Sequence, residues 1–86
     1  MTGDIAQRAA LITAIDRAIA GKWDDAHEAC QSMEGEKTAD WLHAVLHKIE
    51  GDESNSRYWY RRSGQNYESW SDAQEELRAI RAVLTY

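Results

Sequence analysis

Apolar residues recur three, four or seven positions apart along much of the chain, a spacing that places them on one face of an α-helix. The first such stretch runs from Asp4 to Ala20, and its apolar stripe comprises Ile5, Ile12, Ile15 and Ile19. A second stretch begins at about Lys22 and stops near Gly35, with a stripe formed by Trp23, Ala26, Cys30 and Met33. Glycine suits the left-handed residue that follows a helix, so Gly21 is predicted to separate two amphipathic helices.

The third predicted helix has an apolar side and a strongly polar side. It is capped by Thr38 and ends at Glu50, just before Gly51. Its apolar stripe comprises Trp41, Leu42, Val45, Leu46 and Ile49. The opposite side carries four side chains that can form hydrogen bonds or bind metal, which we call the polar ladder: Asp40, His43, His47 and Glu50.

Two further helices follow. The fourth runs from its capping residue Asp52 to about Ser63, and it is predicted to bury Ser56, Trp59, Tyr60 and Ser63. Ser71 and Gln74 have the spacing of a capping box, in which two side chains satisfy free N–H groups at a helix start. The fifth helix that they introduce carries the stripe Ala73, Leu77, Ile80 and Leu84.

The composition favours an all-α fold. The 86 residues include no proline and no phenylalanine, and residues with branched Cβ atoms never alternate over a run as they do in strands. A chain of this length can bury one compact core. We therefore predict a single helical domain over residues 1–86, with about five helices in antiparallel hairpins.

Two segments that begin with glycine repeat 30 positions apart. The first comprises Gly21, Trp23, Ala26 and Cys30, and the second comprises Gly51, Ser56 and Tyr60. This pattern resembles the second helix of a tetratricopeptide repeat, and the segment YWYRRS at 58–63 is similar to the end of a Sel1-type repeat. The resemblance covers roughly residues 21–64 and implies helical hairpins with right-handed stacking. The block at 41–62 also resembles a group of small uncharacterised microbial proteins, which implies no activity.

The charge argues against a protein that binds by covering phosphates, because ten basic residues face fifteen acidic ones and leave a net charge of −5. Residues 57–86 nevertheless hold five basic and four acidic side chains, so an anion is expected to prefer that half. The single cysteine, Cys30, cannot close an intramolecular disulfide, and the start of the chain has no secretory pattern. A cytoplasmic setting is expected. No apolar run approaches the roughly 18 residues of a membrane span, so no membrane partner is expected.

The polar ladder supports three hypotheses. Imidazoles four positions apart on a helix can chelate a divalent ion such as zinc, and Glu50 would complete a site with His43 and His47. Alternatively, the ladder is a solvated face in which carboxylates accept hydrogen bonds from the histidines. In the third hypothesis, both histidines are buried against the fifth helix or a second copy of the chain. His27 borders the apolar face of the second helix, and we predict a hydrogen-bonded core histidine there rather than a third ligand.

The fourth helix carries aromatic and arginine side chains at its surface. Asn55, Tyr58 and Arg62 follow one flank, while Arg57 and Arg61 follow another. Arginine beside an aromatic ring can bind a carboxylate or phosphate, so this surface suits an acidic peptide or a small anion. In the alternative interpretation, the arginines pair with nearby acids such as Glu50, Asp52 or Glu53. RNA binding through the aromatic rings is a third option, which the net charge disfavours.

The sequence contains no catalytic triad order, phosphate-binding glycine loop or CxxC motif, so it does not predict an enzyme. The first functional hypothesis is a small helical module that binds a peptide or protein partner through a face of helices three and four. Its predicted binding residues are Trp41, His43, His47, Asn55, Tyr58, Arg61 and Arg62. The second is a metal-binding or small-anion-binding protein that uses His43, His47 and Glu50, with a hydrolytic role as a further option. Nucleic acid is not an expected partner, and a homodimer is left open.

Overall fold

The computed structural model describes the backbone of residues 2–85 and the side chains of residues 5–85. Five α-helices account for most of this range: α1 (Thr2–Ile19), α2 (Trp23–Gln31), α3 (Lys37–Glu50), α4 (Glu53–Ser63) and α5 (Ala73–Thr85). A short 3₁₀ turn at Tyr67–Ser69 lies between α4 and α5, and the described residues form no strand. The predicted all-α fold is therefore confirmed. No described helix has the length and apolar character needed to cross a membrane.

The turn between α3 and α4 follows the predicted chemistry. Gly51 has a φ of +86°, the left-handed conformation that glycine adopts without steric cost. The Asp52 side chain then accepts a hydrogen bond of 3.3 Å from the backbone N–H of Asn55, which satisfies a free donor at the start of α4. Both features had been predicted from local sequence.

Two other predicted helix caps are wrong by one or two positions. Glu36, rather than Thr38, caps α3, because its carboxylate accepts from the Thr38 N–H at 2.7 Å. At the start of α5, the Asp72 carboxylate accepts from the backbone N–H groups of Gln74 and Glu75. The predicted capping box of Ser71 and Gln74 does not form. In both cases the capping group is a carboxylate instead of the predicted hydroxyl. The helix dipole also favours a negative charge at the start of a helix.

Helix α3 lies at the centre of the fold and contacts each of the other four helices. Every side chain from Ala39 to His47 is buried as a result. The polar side that the sequence predicts for this helix is therefore covered by protein. Helix α4 buries the four residues predicted for it, which are Ser56, Trp59, Tyr60 and Ser63.

The apolar core lies between α3 and its neighbours. Its fully buried members include Ile15 of α1, Leu42 and Leu46 of α3, and Leu77 and Ile80 of α5. Two predicted stripe residues are exposed: Ile5 is 72% exposed and Ile49 is 44% exposed. Because α1 is twice as long as its hairpin partner α2, its first turns extend past the residues that could cover them.

A buried ion pair joins α5 to α3 and α4. The Glu76 carboxylate is fully buried and accepts from Lys48 Nζ at 3.0 Å, Tyr60 OH at 2.7 Å and Trp41 Nε1 at 2.8 Å. Lys48 Nζ also donates to the backbone carbonyls of Tyr67 at 2.9 Å and Trp70 at 3.2 Å. Burial, together with the hydrogen bond to Glu76, raises the pKa of Tyr60. These contacts satisfy the charges that the fold removes from water.

Candidate metal centre

Three histidines from two helices converge at the contact between α2 and α3. One potential ligand atom from each of His27, His43 and His47 lies within 4.8 Å of the other two. The closest pair is His27 Nε2 and His43 Nε2, at 3.2 Å. The ring of His27 is edge-on to both other rings, with centroids at 4.8 Å from His43 and 5.2 Å from His47. We call these three residues the histidine cluster.

Local sequence explains why the cluster forms. His43 and His47 are four positions apart on α3, so their rings lie on the same helix face, stacked with centroids 5.0 Å apart. On α2, the fully buried small residues Ala26 and Cys30 allow that helix to approach α3 closely. Trp23 Nε1 donates to the Leu46 carbonyl at 2.7 Å and fixes the start of α2 on α3. His27, one turn after Trp23, is thereby held against the two α3 histidines.

Two tryptophan rings border the cluster. Trp59 of α4 stacks on His43 with centroids 3.9 Å apart and an interplanar angle of 17°. Trp23 stacks on His27 at 4.6 Å and 15°. His43 and His47 are buried, whereas His27 is half-buried. The cluster therefore has apolar walls on two sides, with access to solvent at His27.

Burial favours the neutral forms of His43 and His27. Burial, followed by the charges of His47 and His27, lowers the pKa of His43 to about 4. The pKa of His27 is also lowered, first by burial and then by the charge of His47. A neutral imidazole has a free lone pair on one nitrogen, which is the form that binds a metal ion.

Glu50 orients His47. Its Oε2 atom lies 2.6 Å from His47 Nδ1, and because an ionised carboxylate can only accept, the proton must be on Nδ1. The remaining nitrogen of His47, Nε2, then presents its lone pair. A carboxylate on the second nitrogen of a histidine is the usual outer partner in metal sites, where it fixes the tautomer and the ring orientation.

His43 has a polar atom without a hydrogen-bond partner. Its Nδ1 atom is buried and makes no hydrogen bond within the described residues. Buried polar groups of this kind are rare and cost free energy, since they lose water and gain nothing in return. One shared proton between His43 and His27 cannot satisfy all four of their ring nitrogens. The His27–His43 contact agrees with the hydrogen-bonded His27 that the sequence predicts, and it leaves His43 Nδ1 without a partner among the described residues.

The cluster corrects several sequence predictions. The prediction of a solvated face is wrong for Asp40, His43 and His47, which are buried, whereas the predicted hydrogen bond between a carboxylate and a histidine is confirmed for exposed Glu50 and His47. Burial of the two histidines is confirmed, but they pack against α2 and Trp59 rather than against α5. Glu50, predicted as a third metal ligand, instead contacts Nδ1 of His47. The residue that faces His43 and His47 is His27 of α2. Asp40 lies apart from the cluster, accepting from the Gly35 N–H at 3.2 Å.

The other predicted binding residues are divided between core and surface. Trp41 is buried and donates to Glu76, whereas Asn55, Tyr58, Arg61 and Arg62 are exposed on α4. The Arg62 guanidinium lies 5.7 Å from the Tyr58 ring centre and 5.4 Å from that of Trp59. The structure thus brings Tyr58 and Arg62 together, but it separates Trp41 from them.

Arg57 behaves as the alternative interpretation of the fourth helix predicted. Its guanidinium pairs with Glu53 at 2.8 Å and with Glu68 at 2.7 Å. Both acids are exposed, so solvent screening leaves each pair with a small effect on stability. Arg57 is therefore neutralised locally and contributes little to an anion-binding surface.

None of the protein families, curated proteins or solved structures with which the chain was compared matches it.

We expect the free energy of unfolding to decrease as the pH falls from 6.5 towards about 4. Above this window, His43 is neutral in both the folded and unfolded states. Within it, the unfolded chain, with its ordinary histidine pKa of 6.5, binds protons that buried His43 does not bind. Each such histidine contributes a slope of at most about 1.4 kcal/mol per pH unit.

Urea denaturation at a series of pH values measures this slope. His43→Gln removes the main titrating group, so its profile should be flatter than that of the native protein. Equal slopes for the two proteins would show that His43 titrates normally in the folded state.

Proposed function

We propose that this protein binds a divalent transition-metal ion through His27, His43 and His47. The observation that carries the proposal is the 3.2 Å separation of His27 Nε2 and His43 Nε2, with His47 offering a third ligand atom within 4.8 Å of both. Two nitrogens bound at about 2.0–2.1 Å to one tetrahedral ion lie about 3.3 Å apart. The cluster is therefore close to a metal-binding geometry before any ion is bound.

The three imidazole nitrogens limit which metal ions the cluster would bind. Imidazole nitrogens suit zinc, copper, nickel and iron, whereas magnesium and calcium prefer oxygen ligands. The depressed pKa values of His43 and His27 mean that neither has to lose a proton to bind an ion at neutral pH. Glu50 holds the ring of His47 in the tautomer that leaves Nε2 free.

Metal binding would also connect two parts of the fold. His27 belongs to α2, and the other two ligands belong to α3, so a shared ion would link the first hairpin to the second. An ion that binds only the folded chain stabilises it in proportion to the logarithm of its free concentration over Kd. At 100 times Kd this amounts to about 2.7 kcal/mol.

Calorimetric titration with Zn²⁺ and Ni²⁺ tests the proposal. We expect one ion per chain in the native protein and at least about 100-fold weaker binding in His27→Gln and His47→Gln. Even partners outside the ligand set cost 10–100-fold when they are removed, and a direct ligand should cost more. Asp24→Asn, an exposed change on the same helix as His27, is the matched control and should bind like the native protein.

Two results would contradict this assignment. Absence of binding by the native protein would reject the metal proposal as a whole. Native affinity in His27→Gln, with loss in Glu50→Gln, would instead favour the set of His43, His47 and Glu50 that the sequence had indicated.

A second candidate function is the binding of an acidic peptide or protein segment on the outer face of α4. It is favoured by Tyr58, which is 44% exposed, and by the exposed Arg61 and Arg62 beside it. Titration with a polyglutamate peptide, followed by tryptophan fluorescence, would test this surface. Arg61→Ala combined with Arg62→Ala should abolish the response, and Arg78→Ala on α5 is the control.

Two further proposals accompany this second candidate: tetratricopeptide-like stacking of the helices and a cytoplasmic setting. Tetratricopeptide-like stacking is supported by the contacts of α1 with α2 and of α3 with α4, which have the form of successive helical pairs. A cytoplasmic setting is supported by the single cysteine, Cys30, which cannot close an intramolecular disulfide.

A further inference from the structure

The histidine cluster supplies three ligand atoms that lie close to one another, one from each histidine. Within the described residues, neither a carboxylate nor a thiol joins His27, His43 and His47 at the 4.8 Å spacing that unites them. The nearest acid, Glu50, is hydrogen-bonded to His47 through Oε2. Zinc and related ions take at least four ligands, and sites with three protein ligands leave the fourth position to water or to a substrate.

Charge favours an anion at that position. Three neutral imidazoles leave the full +2 charge of a divalent ion, and Glu50 offsets one unit of it through His47. The Arg62 guanidinium lies 5.4 Å from the centre of the Trp59 ring that covers His43, and the Asp40 carboxylate, 4.0 Å away, offsets its charge. Other acids also face the cluster: Asp24 and Glu34 act on His27, and a carboxylate oxygen of Asp52 lies within 4.8 Å of ligand atoms of His47 and Glu50. Because Asp24 and Glu34 are exposed, salt screens them more than it screens the ion.

We propose that the ion bound at the histidine cluster keeps an exchangeable fourth position that takes a small anion. This inference rests on the proposed function. With an ion bound, the fourth ligand would be water below a pH of about 7 and hydroxide above it, the proton being released to solvent, and a small carboxylate or azide would displace the water. The Trp23 and Trp59 rings restrict the position to small ligands, and the half-buried edge at His27 admits them.

Cobalt supplies a direct test, because Co²⁺ follows the ligand chemistry of zinc and its visible absorption reports on coordination. The native protein is loaded with Co²⁺ and titrated with sodium azide at pH values of about 6.5 and 8.5. We expect azide to change the visible spectrum with a single dissociation constant. Since the bound water of such sites has a pKa of about 7, hydroxide should compete at the higher pH and weaken azide binding by about 20-fold.

The outcomes separate this inference from the proposed function. Failure of Co²⁺ to bind would reject the metal site itself. Binding of Co²⁺ with a spectrum that azide does not change would overturn only the exchangeable position, and it would indicate a closed site.

The variant Cys30→Ser tests whether the Cys30 thiolate is a fourth ligand that closes the site. If Cys30 closed the coordination sphere, the Co²⁺ protein would show a thiolate charge-transfer band that this variant lacks. We expect no such band, because the Cys30 thiol is buried on α2 with its pKa raised to about 12. The variant should therefore bind azide with the native affinity.

Discussion

Glu76→Ala is expected to destabilise the protein by about 3–5 kcal/mol, because it leaves the charge of Lys48 buried without a partner. The side chain of Lys48 is 12% exposed and that of Glu76 is fully buried, so little water can replace the carboxylate. The same change removes the acceptor for Trp41 Nε1 and Tyr60 OH, both of which are also buried. For a chain of 86 residues the total stability is roughly 4–13 kcal/mol. The variant should therefore be close to unfolding at room temperature.

Urea denaturation of three variants isolates the cause. Glu75→Ala, at the exposed neighbouring position, should change stability by no more than about 0.5 kcal/mol. The double change Lys48→Met with Glu76→Met should be less destabilising than Glu76→Ala, since no buried charge then remains. A small effect of Glu76→Ala would mean that Lys48 reaches solvent and that the network contributes little.

The second large effect is expected at Trp59. Trp59→Ala should cost about 3–5 kcal/mol, the usual range for truncating a large buried aromatic side chain. The ring is 9% exposed and stacks on His43, so its loss opens a cavity and exposes the histidine cluster. Thermal denaturation is a suitable measurement, and the variant should melt well below the native protein or be unfolded throughout.

Tyr58→Ala is the matched control for Trp59→Ala, because it removes an aromatic ring from the same helix at a position that is 44% exposed. It should change the free energy of unfolding by a few tenths of a kcal/mol. Similar melting temperatures for Trp59→Ala and the native protein would show that the packing of α4 differs from that described.

The helices and much of their buried faces could be predicted from the sequence because both depend on local spacing. Four buried residues of α4 follow from a single periodic pattern, and the glycine turn before that helix follows from the chemistry of Gly51 and Asp52. Ile5 shows the limit of such patterns. Its position fits the α1 stripe, but periodicity does not tell how far a neighbouring helix extends along that stripe.

The histidine cluster could be predicted only in part, for a related reason. A polar stripe on a helix is compatible with solvent and equally with another polar group on a neighbouring helix. His43 and His47 were recognisable as a pair from their spacing, whereas His27 joins them through the packing of α2 on α3. The hypothesis that these histidines pack against α5 or a second copy named the wrong neighbour, because α3 contacts all four other helices and α2 covers this face. The role of Glu76 could not be predicted, because its three side-chain partners are 16, 28 and 35 positions away in sequence.

The location of the Lys48 counter-ion also constrains how the chain can fold as it is made. Lys48 belongs to α3, whereas Glu76 belongs to α5, which leaves the ribosome after the other four helices. Until α5 emerges, enclosing Lys48 would bury an unpaired ammonium group at a cost of several kcal/mol. Closing α1–α4 over this position is therefore unfavourable until α5 brings the Glu76 carboxylate to Lys48.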